Sequence, residues 1–123
     1  MREVTIGLGL SFTLLFSAGS AAAEPAVGEG VGTYSCAEFT RAIKADPSRE
    51  MLYFSWAQGW MSGWNLALMD AHKPTADLRT PDGADQRVFL TSYCKAHPAA
   101  LYMEAAYRLR ASRPTVAPPP AKP

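Results

Sequence analysis

A chain of 123 residues with a formal net charge of +1 and 48% apolar residues has room for one small domain. It carries no excess of basic charge with which to hold nucleic acid or an anionic membrane. Two cysteines and two histidines leave little from which to build a metal centre or a catalytic cluster.

Residues 1–23 open with Arg2, continue through an uncharged run rich in Leu, Ile and Phe, and close on Ala21, Ala22 and Ala23. That order of basic, apolar and small residues predicts a cleaved signal peptide, a periplasmic or secreted address, and no membrane segment after cleavage. Export places Cys36 and Cys94 in an oxidising compartment, where an even count is normally a paired count. A single disulfide is therefore expected. Residues 24–33 hold three glycines and a proline and few large apolar groups, so a flexible leader is expected. Residues 114–123 hold five prolines, which predicts an extended tail outside helix and sheet. The folded unit is then 34–113.

Within it, Ser35 and Glu38 have the spacing of a capping box at a helix start. Cys36, Phe39 and Ile43 follow at helical spacing, and Asp46 and Pro47 end this first helix. Residues 51–69 carry no charge. Trp56, Trp60 and Trp64 recur every fourth residue and form one stripe of a second helix, with Leu52, Gly59, Gly63 and Ala67 beside it and Gln58, Ser62 and Asn65 opposite. Residues 73–84, with two prolines and Gly83, predict a loop long enough to be mobile. A third helix carries Phe89, Leu90, Tyr93 and Cys94 as far as His97 and Pro98. A fourth, starting at Pro98, is expected to bury Leu101, Tyr102, Ala105 and Leu109 and to expose a Glu104 to Arg108 pair. No stretch alternates convincingly. The fold class is all-α: a small orthogonal four-helix bundle stapled by one disulfide.

Candidate chemistry is sparse. His72 and His97 stand at predicted helix ends next to a proline or one residue from it, without partners at metal-ligand spacing. The cysteines are too distant for a redox pair. No catalytic residue, metal or cofactor is expected, and the protein is read as a non-enzyme. Gly59 and Gly63 are the informative positions, because each glycine inside a helix costs about 1 kcal/mol relative to alanine. One reading has another helix of the chain crossing at this notch, so that Gly63→Leu would cost about 1–3 kcal/mol by overpacking. The other has part of the Trp56, Trp60 and Trp64 stripe facing a partner, because three tryptophans exceed what four short helices readily bury.

Tyr34, Ser35, Cys36, Ala37, Glu38 and Phe39 form a Cys-x-x-Phe opening, and Tyr93, Cys94, Lys95, Ala96, His97 and Pro98 form a Tyr-Cys-Lys-x-x-Pro motif. Both resemble the cysteine motifs of the HdeA/HdeB family of periplasmic acid-stress chaperones. The resemblance implies a Cys36–Cys94 bridge between the first helix and a later one, a periplasmic location, the capacity to dimerise, and protein clients held on apolar surface. The segment from Trp56 to Asn65 departs from those chaperones. It is similar to the aromatic and glycine-rich core helix of small exported immunity proteins that neutralise type VI amidase effectors, which implies one cognate effector protein as partner. A structural envelope protein is the third expectation.

Overall fold

The computed structural model describes residues 28–118 and 120. The expected signal peptide and residues 24–27 of the expected leader lie outside them. Among the described residues the fold is all-α in its main elements, with four helices and one very small sheet: α1 (Cys36–Ala45), α2 (Arg49–Asp70), β1 (Thr75–Ala76), α3 (Gly83–Ala96), α4 (Tyr102–Ala111) and β2 (Thr115–Val116).

Helix α1 begins where its local chemistry requires. Glu38 N–H donates to Ser35 Oγ at 3.2 Å, and the Glu38 carboxylate accepts from Ser35 N–H at 2.7 Å, so both halves of the capping box form. Two further amides at this end are satisfied from a distance: Cys36 N–H donates to the Ala100 carbonyl at 2.8 Å and Ala37 N–H to the Pro98 carbonyl at 2.9 Å. This use of residues 98–101 corrects the expected start of the last helix. They lie outside any helix, bridge to Ser35 through Leu101, and leave Leu101 43% exposed, because their carbonyls cap α1. Helix α4 starts at Tyr102, and its Glu104 to Arg108 pair forms at 3.4 Å.

The core is aromatic. Phe39 of α1, Tyr53 of α2 and Tyr102 of α4 pack with ring centroids 4.9–5.1 Å apart, within the range in which tilted and edge-to-face pairs attract. Phe54, Ala57, Met61, Leu90, Ala105, Ala106 and Leu109 complete it, and Cys36 and Cys94 are bonded and buried there. The disulfide joins α1 to α3 across a sequence separation of 58.

The described parts of the leader and the tail are held at several points. Of the leader, residues 30–33 form a 3₁₀ turn that lies on Trp56, whose indole N–H donates to the Glu29 carbonyl at 2.9 Å. Gly30 has φ +76°, and a Cβ at buried Gly32 would overlap the Trp56 ring. Glycine there permits close approach to an aromatic plate rather than freedom. Of the tail, Thr115 and Val116 pair antiparallel with Ala76 and Thr75, which corrects the expectation that no part of it enters a sheet. The loop between α2 and α3 is anchored at several points. Asn65 donates to the Ala76 carbonyl at 2.8 Å and accepts from Ala76 N–H at 3.1 Å. Buried Gln86 donates to the carbonyls of Leu78 and Pro81, both at 2.8 Å, and accepts from Gln58 at 2.6 Å. Asp82 caps α3 through Ala84 and Asp85 N–H.

Candidate binding surface

Helix α2 is uncharged from Met51 to Met69, so its hydrophobic pattern alone does not say which side is inside. Neighbouring helices decide. The buried positions are Tyr53, Phe54, Ala57 and Met61, and at about 100° per residue they occupy one flank of the helix. Trp56, Trp60 and Trp64 stand beside this core on one side and are partly buried. Trp56 stacks on Trp60 at 6.3 Å and 14°, and Trp60 meets Trp64 edge-on at 5.1 Å. Gln58 and Asn65, across the helix from the Trp stripe as expected, grip α3 and β1 through the hydrogen bonds above.

The glycines are where the structure departs most from the packing expectation. Gly59 and Gly63 are exposed, and a Cβ built on either would meet nothing within 4 Å. Among the described residues no helix crosses at the notch, and the overpacking expected of Gly63→Leu has no neighbour within 4 Å of the added Cβ to act on. With Ser55 and Ala67, also exposed, they form a line of small residues one turn apart. Leu52 and Leu66, 58% and 61% exposed, lie on the same side of the helix, and Trp56 and Trp60 wall its edge. We therefore expect Gly59→Ala and Gly63→Ala each to raise stability by about 0.5–1 kcal/mol in urea denaturation, through helix propensity alone. A loss of similar size would restore the intramolecular crossing.

Two hollows flank this strip. One, of about 420 Å³, is floored by Ser55 and Gly59, walled by Trp56 and Trp60, and edged by Gly28 and Glu29. The other, of about 410 Å³, runs from Ser62, Leu66 and Met69 to Leu78 and Val116. Trp64 closes the far end of the stripe. Tyr107 lies against it at 5.7 Å, and the Arg110 guanidinium sits 4.6 Å over its ring while donating to Asn65 at 3.2 Å. Burial of that guanidinium lowers its pKa. Neither Arg110 nor Tyr107 was legible as part of the stripe, since only the crossing of α2 and α4 brings them there.

The histidines end helices. His72, at φ 52°, closes α2: its N–H donates to the Met69 carbonyl and Lys73 N–H to the Leu68 carbonyl, the paired bonds of a Schellman motif. His97 follows α3, and its ring packs tilted against Tyr93 at 4.4 Å. Among the described residues no three His, Cys, Asp or Glu side chains converge as a metal site. No helix there is long and apolar enough to cross a membrane.

Several carboxylates are held ionised by hydrogen bonds. Glu38 is lowered by the Ser35 backbone and hydroxyl, Asp46 by the Ser48 hydroxyl and backbone, and Asp77 by the Arg79 backbone. All three sit at the ends of α1 or in the loop before α3. Tyr93 is pushed up by burial and by Glu104, which accepts from its hydroxyl at 3.1 Å.

No protein-family model, curated protein or solved structure matches this chain.

Proposed function

We infer that the protein is a non-catalytic binding protein of the cell envelope, of the acid-stress chaperone type, which holds polypeptide chains on the exposed face of α2. The observation that carries this reading is the solvent-facing strip from Leu52 to Leu66, apolar or small throughout and without charge, flanked by two hollows. An uncharged strip suits an apolar, uncharged segment of another chain, and residues without bulky side chains let that segment's backbone come close. The two cysteine motifs that resemble the acid-chaperone family support the same reading.

Acid would enlarge such a surface. Carboxylates whose folded pKa is depressed stabilise the fold above the ordinary carboxylate range and lose that contribution as pH falls through and below it. Glu38 braces the start of α1, Asp46 the turn into α2, and Asp77 the loop before α3. Protonating the ten carboxylates of a chain cut after Ala23 also leaves a charge of roughly +14, which favours expansion. The disulfide keeps α1 tied to α3 meanwhile. The expected result is that binding of an apolar dye, and suppression of aggregation of several unrelated acid-unfolded proteins, both rise between about pH 5 and pH 2. A chain that stays compact, binds no dye and protects nothing at the acid end refutes the chaperone reading.

A second reading is favoured by Gly59 and Gly63. A notch that nothing among the described residues fills has a definite shape, as a surface for one cognate partner would, and an inhibitor or immunity protein acting on an exported effector fits it. Protection of one protein at neutral pH, without protection of unrelated ones, distinguishes it.

A further inference from the structure

A second surface, separate from α2, lies between α1 and the end of α3. There Arg41 and Lys44 of α1 and Lys95 of α3 border a groove of about 390 Å³ whose other lining includes Ala37, Cys94 and Pro98. All three cations are exposed. Among the described residues none of them forms an ion pair or a side-chain hydrogen bond, and no acidic residue lines the groove. The acid nearest in sequence, Glu38, bonds the Ser35 N–H and hydroxyl, and reaches Arg41 through its charge without a hydrogen bond or ion pair to it. A neighbouring hollow makes the contrast. It also reaches Lys95, but it contains its own pair, Arg87 and Glu50 at 3.7 Å.

Three cations around an apolar floor, with no acidic residue in the lining, give the groove a positive field, so it complements a ligand carrying negative charge and apolar groups together. Its walls are fixed, because Cys36 and Cys94 bond α1 to α3 beside the floor. Concavity between two helices suits a chain with side chains to insert better than the plane of a bilayer. We propose that this groove binds an acidic, partly apolar peptide segment of a partner protein, with Arg41, Lys44 and Lys95 pairing its carboxylates. The assignment is independent of the role given to α2.

Fluorescence anisotropy of a labelled peptide of repeating Asp-Leu-Glu, titrated with the oxidised mature chain, tests it. The acidic peptide is expected to bind, its Asn-Leu-Gln analogue not to bind, and affinity to fall by about tenfold or more as salt rises from about 0.01 M to about 0.15 M, shortening the Debye length from about 30 Å to about 8 Å. Arg41→Glu with Lys44→Glu and Lys95→Glu should abolish binding while melting as wild type does, and Lys73→Glu, a cation outside the groove, should leave it. If the triple variant is unstable, Arg41→Gln and Lys95→Gln separately must each weaken binding. The peptide should also bind a Leu52→Lys, Leu66→Lys chain. Absence of binding at low salt, equal binding of the neutral analogue, loss of binding in the α2 variant, or binding of phosphatidylserine vesicles in place of the peptide would each overturn the proposal.

Discussion

Replacing Cys36 and Cys94 together by serine is expected to remove about 4 kcal/mol of stability, enough to leave a domain of this size largely unfolded at physiological temperature. The bridge closes a loop across a sequence separation of 58, and loop-closure entropy on that scale yields the quoted figure. Local packing adds to it. Both sulfurs are buried within the core formed by Phe39, Leu90 and Tyr102, so the serine hydroxyls would have to find partners among apolar groups or remain unpaired. The bridge is also the covalent link between α1, whose start Ser35 and Glu38 cap, and the helix carrying Tyr93. Without it, acid should unfold the chain completely, rather than loosen it. Urea denaturation of wild type and the double variant at neutral pH measures the difference. A loss below about 1 kcal/mol would show that the core alone holds α1 against α3.

How far the fold could be read in advance depended on how local each determinant was. The start of α1 was legible because Ser35 and Glu38 satisfy one another within a single turn, and the partnership of Cys36 with Cys94 followed from the expected export and an even count. The breaks at Pro47 and Pro98 were equally local. What the residues did not disclose were choices made by distant contacts. Helix α2 is uncharged from Met51 to Met69, so its heaviest residues, Trp56, Trp60 and Trp64, drew attention as the stripe, while the fully enclosed side chains proved to be Tyr53, Ala57 and Met61, where α1 and α4 cross. Residues 98–101 look like the first turn of α4, but their carbonyls are needed by the amides of Cys36 and Ala37.

Glycine shows the same ambiguity in both directions. The leader's glycines suggested disorder, yet Gly30 and Gly32 form the turn that lets the backbone lie on Trp56. Gly59 and Gly63 suggested a close internal crossing, yet they face open space. A residue without a side chain states that something approaches, or that nothing does, and the three-dimensional neighbours decide which. Thr115 and Val116 were obscured in the same way by the prolines around them, although both are good strand formers once β1 offers an edge. Of the candidate site, then, the composition of the α2 strip was legible; its direction, toward solvent, was not.

Placing charge on that strip is the second change with a large expected effect, and it acts on binding rather than on folding. Leu52 and Leu66 are 58% and 61% exposed, so Leu52→Lys with Leu66→Lys leaves the enclosed side chains untouched and should alter stability by less than about 0.5 kcal/mol. A client segment docked there would have to desolvate two ammonium groups without a counter-ion, a cost of several kcal/mol and hence a fall in affinity of a hundredfold or more, to order of magnitude. Val88→Lys with Ser92→Lys adds the same charge on exposed positions of α3 and controls for repulsion at a distance. The decisive measurement is suppression of client aggregation at about pH 3, within the range where carboxylates titrate, by wild type and these two variants at equal concentration. The account requires that the α2 variant lose protection while the α3 variant keeps it and both melt as wild type does; full protection by the α2 variant would contradict the assignment of α2 as the binding surface.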